Sequence, residues 1–409
     1  MSTQSSISSM SKKAILYIGG FELPDKNAAA QRVLANGKIF RELGYSVYYI
    51  GTDRSLSKST PVESTKSIFE EFVCYSTRYP TKTTDWIDYL TSIKEVIQIA
   101  GQIQALDYII AYNYPGIALA KLNSWSKSRN ISLIADCTEW YEPQGGVLFR
   151  MIKGFDTYLR MKIVQPKLDG MIAISAYLYS FYADRMDHLI QIPPLVDSRA
   201  DKWINKCERS NEKLSLVYAG SPGSGAKDRL DTVLEALSIV KTTTGISFSM
   251  NVVGLTKQQY IENFGDSSFP SVLDDDVAFK GRLSHVDALN EVKCADFAIF
   301  IRDNNLVNTA GFPTKFVEAL SSGIPVLANK SSNIADYLRS SENGYLLDNS
   351  TKENLVHTFN LALSLDKEKI RAMKTQIKSS NIFDFRNYVE PVKQFLNAVR
   401  IEKEKSKKP

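Results

Sequence analysis

Unbroken apolar runs and helix-period stripes alternate along nearly the whole chain, and the alternation occurs in two series. In the first, Ala14-Ile15-Leu16-Tyr17-Ile18 has no polar interruption and ends at Gly19-Gly20, which predicts a buried strand leading into a turn. Ala30, Val33, Leu34, Gly37 and Phe40 then recur at spacings of three, four and seven, one face of a helix. Further strands are expected at Ser46 to Ile50, Tyr108 to Tyr112, Ser132 to Ala135 and Met171 to Ser175. Such runs belong to parallel sheets covered on both faces by helices, because alternation is lost when both faces are buried.

The second series begins with Leu214 to Ala219 and the loop Gly220-Ser-Pro-Gly-Ser-Gly225. A helix follows with Leu230, Val233, Leu234, Leu237 and Val240 on one stripe, then strands at Phe248 to Val253, Val277 to Phe279, Phe297 to Ile301 and Pro325 to Ala328. Between the two series lies Ile192-Pro193-Pro194-Leu195-Val196-Asp197, then a polar stretch to Lys213. Two prolines halt regular structure, so the linker is placed there. The reading is α/β with a disordered lead at 1–12, an N-terminal Rossmann-like domain at 13–197, a C-terminal one at 198–380, and a final helix and basic tail at 381–409. The period is that of a domain, which excludes a solenoid.

Composition narrows the class. At 409 residues the chain is too long for one hydrophobic core, and 44% hydrophobic with 23% charged residues is the balance of a globular protein. A net charge of +5 suits an anionic ligand, an anionic membrane surface or nucleic acid without separating them. No nucleic-acid motif accompanies the basic residues, so nucleic acid is not an expected partner. Cys74, Cys137, Cys207 and Cys294 are far apart with no CxxC pair. Neither a zinc site nor a disulfide framework is expected, and a reducing cytoplasm fits best. No apolar run reaches the roughly 18–20 residues that span a bilayer. Met1 to Ser11 has no apolar centre and does not read as a signal peptide; the Lys-rich end from Glu402 reads as a solvated tail.

The stretch Asn308-Thr-Ala-Gly-Phe-Pro-Thr-Lys-Phe-Val-Glu-Ala-Leu-Ser-Ser-Gly-Ile-Pro-Val-Leu327 carries the most chemistry. A Gly-Phe-Pro turn opens a short helix, Pro313 suits its first turn, and Gly323 closes it before a strand. Amides around Gly311, Phe312, Pro313, Thr314 and Lys315 would face outward at a helix N-terminus, a site for phosphate oxygens. Glu318 lies one turn beyond Thr314, placed to accept from ribose hydroxyls beside that phosphate.

These residues resemble Gly-x-Pro-x-Lys-x-x-Glu-Ala-x-x-x-Gly-x-Pro-Val, the donor-site signature of the family 4 retaining glycosyltransferases, which have the GT-B fold: two Rossmann-like domains facing across a cleft. Gly19-Gly20 resembles that family's N-terminal glycine loop, Ile192 to Asp197 its linker, and Tyr218-Ala-Gly220 with Lys227 its strand, glycine and phosphate-binding lysine. Val277-Ala-Phe-Lys-Gly281 resembles the loop that meets the nucleotide base. In such proteins the last helix crosses back to the first domain, which Phe383 to Val399 would do here.

Three departures accompany the resemblance. The first glutamate of the family's Glu-x7-Glu is Ala310, the arginine six residues before the lysine is Ser221, and the first-domain histidine is absent. His188, His285 and His357 all fall outside the expected cleft. Arg302, at the carboxyl end of a strand, is the substitute candidate for the missing arginine, since strand carboxyl ends face the ligand crevice.

The resemblance implies a metal-independent hexosyltransferase using a UDP- or GDP-type sugar and no cofactor. The base would lie against Gly281, Arg282 and Leu283, the ribose on Glu318, and the diphosphate on Gly311 to Lys315 with Gly220, Ser221, Gly223, Lys227 and Arg302. Lys227 and Glu318 would act in transfer. Gly19, Gly20, Arg32 and Glu139 would meet the acceptor, a glycan, glycolipid or protein, and Glu139 would orient or deprotonate its hydroxyl. Arg32 also reads as a surface arginine, Lys227 as a solvated helix-start lysine, and Asp274-Asp275-Asp276 as a solvated loop rather than a metal site. Leu148 to Lys167 mixes bulky apolar groups with Arg150, Lys153, Arg160 and Lys162: an interfacial helix at an anionic membrane, or a core-packed one. A non-catalytic homologue and a nucleotide-sugar epimerase are the rival functions.

Overall fold

The first apolar run forms β1 (Ala14–Gly19), with all six residues buried. In the computed structural model, which describes residues 13–24, 26–142, 146–207, 213–220 and 227–405, it is the centre of an eight-stranded sheet. The other members are β2 (Ser46–Asp53), β3 (Ser67–Phe69), β4 (Phe72–Arg78), β5 (Leu106–Tyr112), β6 (Ser132–Cys137), β7 (Gly170–Ala173) and β8 (Leu189–Gln191). Their order is β3-β4-β2-β1-β5-β6-β7-β8, parallel throughout except for β3 against β4.

The second sheet has six parallel strands: β9 (Leu214–Ala219), β10 (Phe248–Val253), β11 (Val277–Gly281), β12 (Phe297–Phe300), β13 (Val326–Asn329) and β14 (Gly344–Leu347). Its order, β11-β10-β9-β12-β13-β14, is the doubly wound 3-2-1-4-5-6 arrangement. The fold class is therefore the one the sequence predicts, α/β with two Rossmann-like units. One unit holds Met1–Ile174, Leu178–Leu195 and Phe385–Pro409; the other holds Ser175–Tyr177 and Val196–Asp384. The lead at 1–12 and the last four tail residues lie outside the described residues.

Four strands have no counterpart in the apolar pattern: β3, β4, β8 and β14. β4 lies one place from the sheet edge, so its outer positions tolerate Ser76, Thr77 and Arg78 and no continuous apolar run results. The others are only three or four residues long.

The core of the first unit joins Tyr17, Phe21, Val33, Ile39, Phe40 and Tyr49 to Phe395, Leu396 and Val399 from the helix Val389–Lys405. Gly37 lets the helix Ala28–Glu42 approach β2: a Cβ there would lie 1.7 Å from the Tyr49 hydroxyl, which itself donates to Val33 O at 2.8 Å.

The cysteine expectation is corrected. Cys207 and Cys294 form a disulfide across a sequence separation of 87 residues, and only Cys74 and Cys137 are free, both buried. Distant cysteines are brought together by the fold of the second unit, which no spacing rule records.

Candidate functional site

In each unit the sheet order reverses beside its first strand, between β1 and β5 and between β9 and β12. Helices depart to opposite faces at such a point and leave a crevice outside the strand carboxyl ends.

In the second unit this point is occupied by a charged cluster. Gly220 follows β9 at φ +142°, and a Cβ there would lie 2.8 Å from Lys315 Nζ. Gly254, at φ +114°, approaches so closely that a Cβ would lie 2.3 Å from Gly220 O. Glycine is required at both positions, by backbone angle and by space. Lys315 Nζ pairs with Asp228 and lies 4.1 Å from the centre of the Tyr218 ring. Arg302 Nε donates to Asp228 Oδ1 at 2.8 Å and Tyr218 Oη to Oδ2 at 2.8 Å. Asn329, at the end of β13, clamps the Arg302 backbone: Arg302 N donates to its Oδ1 at 2.9 Å, and its Nδ2 donates to Arg302 O at 2.8 Å.

Asp228 is 2% exposed. Burial alone would raise its pKa, but Lys315 and Arg302 overcome that and hold the carboxyl well below the ordinary range. Burial and the neighbouring Asp228 charge push the Tyr218 phenol far up, so it remains a donor. Two cations against one carboxylate leave the cluster with one net positive charge. Lys227 adds a second; it is exposed, and among the described residues no carboxylate pairs with its ammonium.

The helix Thr314–Ser321 begins beside this cluster; Pro313 sits at its N-cap, one place before the first turn expected of it, and no side chain caps it. Gly311 O accepts from Ser332 Oγ at 2.5 Å, which fixes the entering turn. The side chain of Phe312, whose backbone amide is the part expected at the donor, turns inward. It is 6% exposed in an aromatic cluster with Phe316, Tyr337 and Phe383, so its role is to anchor the turn. Pro313 is likewise buried, and Thr314 and Glu318 are half-buried.

Glu318 has an unexpected neighbour. His285 Nε2 lies 3.3 Å from Glu318 Oε1, and its ring is 6.5 Å from that of Trp203. His285 therefore belongs to the site surroundings, contrary to the expectation that all three histidines lie elsewhere. Gly281 (φ +65°) accepts from Gly254 N at 2.8 Å, which ties the end of β11 to the Gly254 turn; Arg282 is exposed and Leu283 half-buried. Ser221 and Gly223 lie outside the described residues.

Asp228 and His285 are the functional candidates that motif reading misses. Asp228 has a signal in hindsight, a carboxylate directly after Lys227; His285 has none, because Glu318 lies 33 residues away in sequence. In the Asp274-Asp275-Asp276 run, Asp274 pairs with Lys257 at 2.6 Å, and Asp276 is buried against Lys241 and Lys213. Asp274 and Asp275 are exposed, as a solvated loop requires, and only Asp276 is withdrawn from solvent onto its lysines.

In the first unit, Gly19 (φ +156°) is fixed by β5, since a Cβ would lie 2.7 Å from Tyr112 O; at Gly20 it would lie 2.9 Å from the Tyr89 hydroxyl. Arg32 is not a surface residue. It is 3% exposed, gives Nη2 to Asp136 Oδ1 at 2.7 Å and Nε to both carboxylate oxygens, and gives Nη1 to Ile192 O at 2.9 Å. Tyr17 also donates to Asp136, and Asn36 Nδ2 to Tyr17 Oη at 3.1 Å. Arg32 thus spends its guanidinium mainly on Asp136 and the backbone at Ile192 and Pro193, inside the fold. Glu139, after β6, is half-buried near the Tyr112 and Tyr141 phenols, whose pKa values it helps to raise after burial.

The helix Val147–Tyr158 does not bury its apolar stripe. Val147, Met151, Phe155 and Tyr158 are between 58% and 67% exposed, and Arg150, Lys162 and Lys167 are exposed nearby. No described helix is long and apolar enough to cross a membrane.

Residues 203–379, under half of the chain, match the family model for glycosyl transferases group 1. No curated protein matches the chain by sequence. Its fold is similar to that of sucrose-phosphate synthase from Thermosynechococcus elongatus (TM-score 0.69, 13% identity, 96% of this chain and 100% of that one). It is also similar to Anabaena HepE, solved with UDP and glucose (0.63, 14%, 94% and 100%). A third is an E. coli trehalose-6-phosphate protein bound with UDP-2-fluoro glucose (0.66, 8%, 94% and 99%). At these identities the likeness is one of fold.

Proposed function

We propose that the chain is a glycosyltransferase that moves a hexosyl group from a UDP- or GDP-type sugar to a hydroxyl acceptor with retention, in the synthesis of a surface polysaccharide, glycolipid or glycoprotein. The observation that carries this reading is the uncapped N-terminus of the Thr314–Ser321 helix beside a cluster with a net positive charge. The family match over 203–379 covers both. A diphosphate leaving group develops negative charge as the glycosidic bond breaks, and fixed amides and cations lower that barrier without reorganising. Asp228 holds Lys315 and Arg302 in place, Lys227 supplies a third cation, and Glu318 accepts from the ribose. The carboxylate of Glu139 orients the acceptor hydroxyl.

The exposed apolar stripe of the Val147–Tyr158 helix, flanked by Arg150, Lys162 and Lys167, suits an anionic membrane surface at which a lipid-linked acceptor would be held.

The test is release of UDP or GDP from nucleotide sugars by the purified chain, beside equilibrium binding of the nucleotides. Lys227→Ala should weaken the nucleoside diphosphate more than the nucleoside; equal losses would remove Lys227 from the phosphate site. Pairing of both cations with Asp228 favours a second reading, a non-catalytic homologue, which would bind nucleotide without turning over any donor.

A further inference from the structure

A cavity of about 260 Å³ opens beside Gly20 and the end of β5, at the switch point of the first unit. That is just below the roughly 300–1,000 Å³ of drug-sized sites and suits a ligand the size of one sugar ring. Its wall is aromatic: Tyr79, Trp86, Tyr89, Tyr112 and Tyr141. Trp86 holds Tyr79 and Tyr89 edge-on at 5.9 and 5.7 Å, so the wall is rigid, and all five rings are only half-buried. Aromatic faces carry negative charge density and attract the C–H face of a pyranose.

Arg160 also lines this cavity. It is 1% exposed, yet no carboxylate lies within ion-pair distance among the described residues, and its Nε has no hydrogen-bond partner. Its remaining contacts are long: Nη1 to Asn113 O at 3.3 Å and Nη2 to Glu139 O at 3.4 Å, with the guanidinium 4.7 Å from the centre of the Tyr141 ring. The Thr157 hydroxyl, on the same wall, is buried without a partner as well. Among the described residues lining the cavity the one carboxylate is Asp156; it accepts from Gly116 N at 2.8 Å and lies beyond ion-pair distance of Arg160, though near enough for their charges to interact. The helix bearing these residues widens into a π-turn at Leu159–Val164, the kind of irregularity that re-aims a side chain at a site. A buried guanidinium with no carboxylate in direct contact and an unpartnered Nε is costly unless an anion completes it.

We infer that this cavity binds a sugar that carries an anionic group, carboxylate or phosphate, with the ring against the aromatic wall and the anion on Arg160 and Thr157. Calling this ligand the acceptor rests on the transferase reading; the binding itself does not.

The experiment is isothermal titration of the full chain, without nucleotide, using glucuronate, glucose 6-phosphate, glucose and inorganic phosphate. The expected result is that at least one anionic sugar binds about tenfold or more tightly than both glucose and phosphate, and the better of the two identifies the anion. Arg160→Gln should abolish that preference, and Trp86→Ala should weaken the anionic sugar while UDP binding and the melting temperature are kept. Since Arg160 is buried, Thr157→Val serves as the second variant and should narrow the preference. Equal binding of glucose, equal binding of phosphate, or no binding of any anionic sugar overturns the proposal. Binding of an anionic sugar by a chain that turns over no donor would retire the transferase reading and leave this one standing. Donor turnover without such binding would do the reverse.

Discussion

His285 Nε2 stands 3.3 Å from Glu318 Oε1, so the carboxylate assigned to the ribose already has a partner on the neighbouring helix His285–Lys293. The contact fixes one oxygen and leaves the other for a ligand.

Glu318→Ala is therefore expected to lower donor turnover at least about tenfold, about 1.4 kcal/mol of transition-state stabilisation. His285→Ala should cost less, since it frees the carboxylate without removing it. Steady-state release of the nucleoside diphosphate measures both; wild-type rates in Glu318→Ala would take that residue out of the site.

Asp228 is buried against two half-buried cations. Removing its charge with Asp228→Asn leaves Lys315 and Arg302 uncompensated, and a loss of up to about 3–5 kcal/mol is expected in a denaturant titration. The pH dependence follows. The folded pKa lies below the unfolded one, so the stabilisation is complete above the unfolded value, about pH 4, and is lost as pH falls towards the folded value. Asp228→Asn should lose its extra instability in that acid window; a constant difference between variant and wild type at all pH values would contradict the assignment.

The Cys207–Cys294 disulfide closes a long loop of the second unit. Chain entropy assigns such a bridge about 2–5 kcal/mol. Oxidised protein should melt several degrees higher than protein in reductant, and Cys207→Ser should melt at the reduced temperature either way. Coincident melting curves would show that the bridge adds no stability.

The exposed stripe of the Val147–Tyr158 helix gives a membrane prediction. Burying one large apolar side chain is worth about 1.5–3 kcal/mol, so Met151→Glu with Phe155→Glu should lower sedimentation with anionic vesicles by more than about tenfold. Neutral vesicles should bind weakly throughout. Undiminished sedimentation of the double variant would rule out this face.

The two sheets were legible because β1 is an unbroken apolar run and β5, β6 and β9 carry apolar stretches at 108–112, 133–135 and 216–219. The uncapped helix after Pro313 was legible for a local reason, since Gly-x-Pro and a following Glu are spaced by helix geometry. What escaped was long-range. Arg32 reads as an ordinary early-helix arginine until Asp136, 104 residues on, takes its guanidinium. Phe312 sits in a signature yet turns inward to Phe383, 71 residues away, and periodicity over a four-residue turn carries no information about that. Arg160 shows only as one basic residue among several, because its missing partner is a property of packing.

The helix Val389–Lys405 gives the first unit Phe395, Leu396 and Val399, although the whole second unit is inserted ahead of it in the chain. Tyr108 donates to Leu396 O at 3.0 Å, and a Cβ on Gly170 would lie 3.0 Å from the Phe395 ring. During synthesis the earlier half must therefore leave the ribosome with an uncovered apolar groove and wait for nearly two hundred further residues to emerge. The piece made in the middle is complete in the chain before the last helix of the first unit is made.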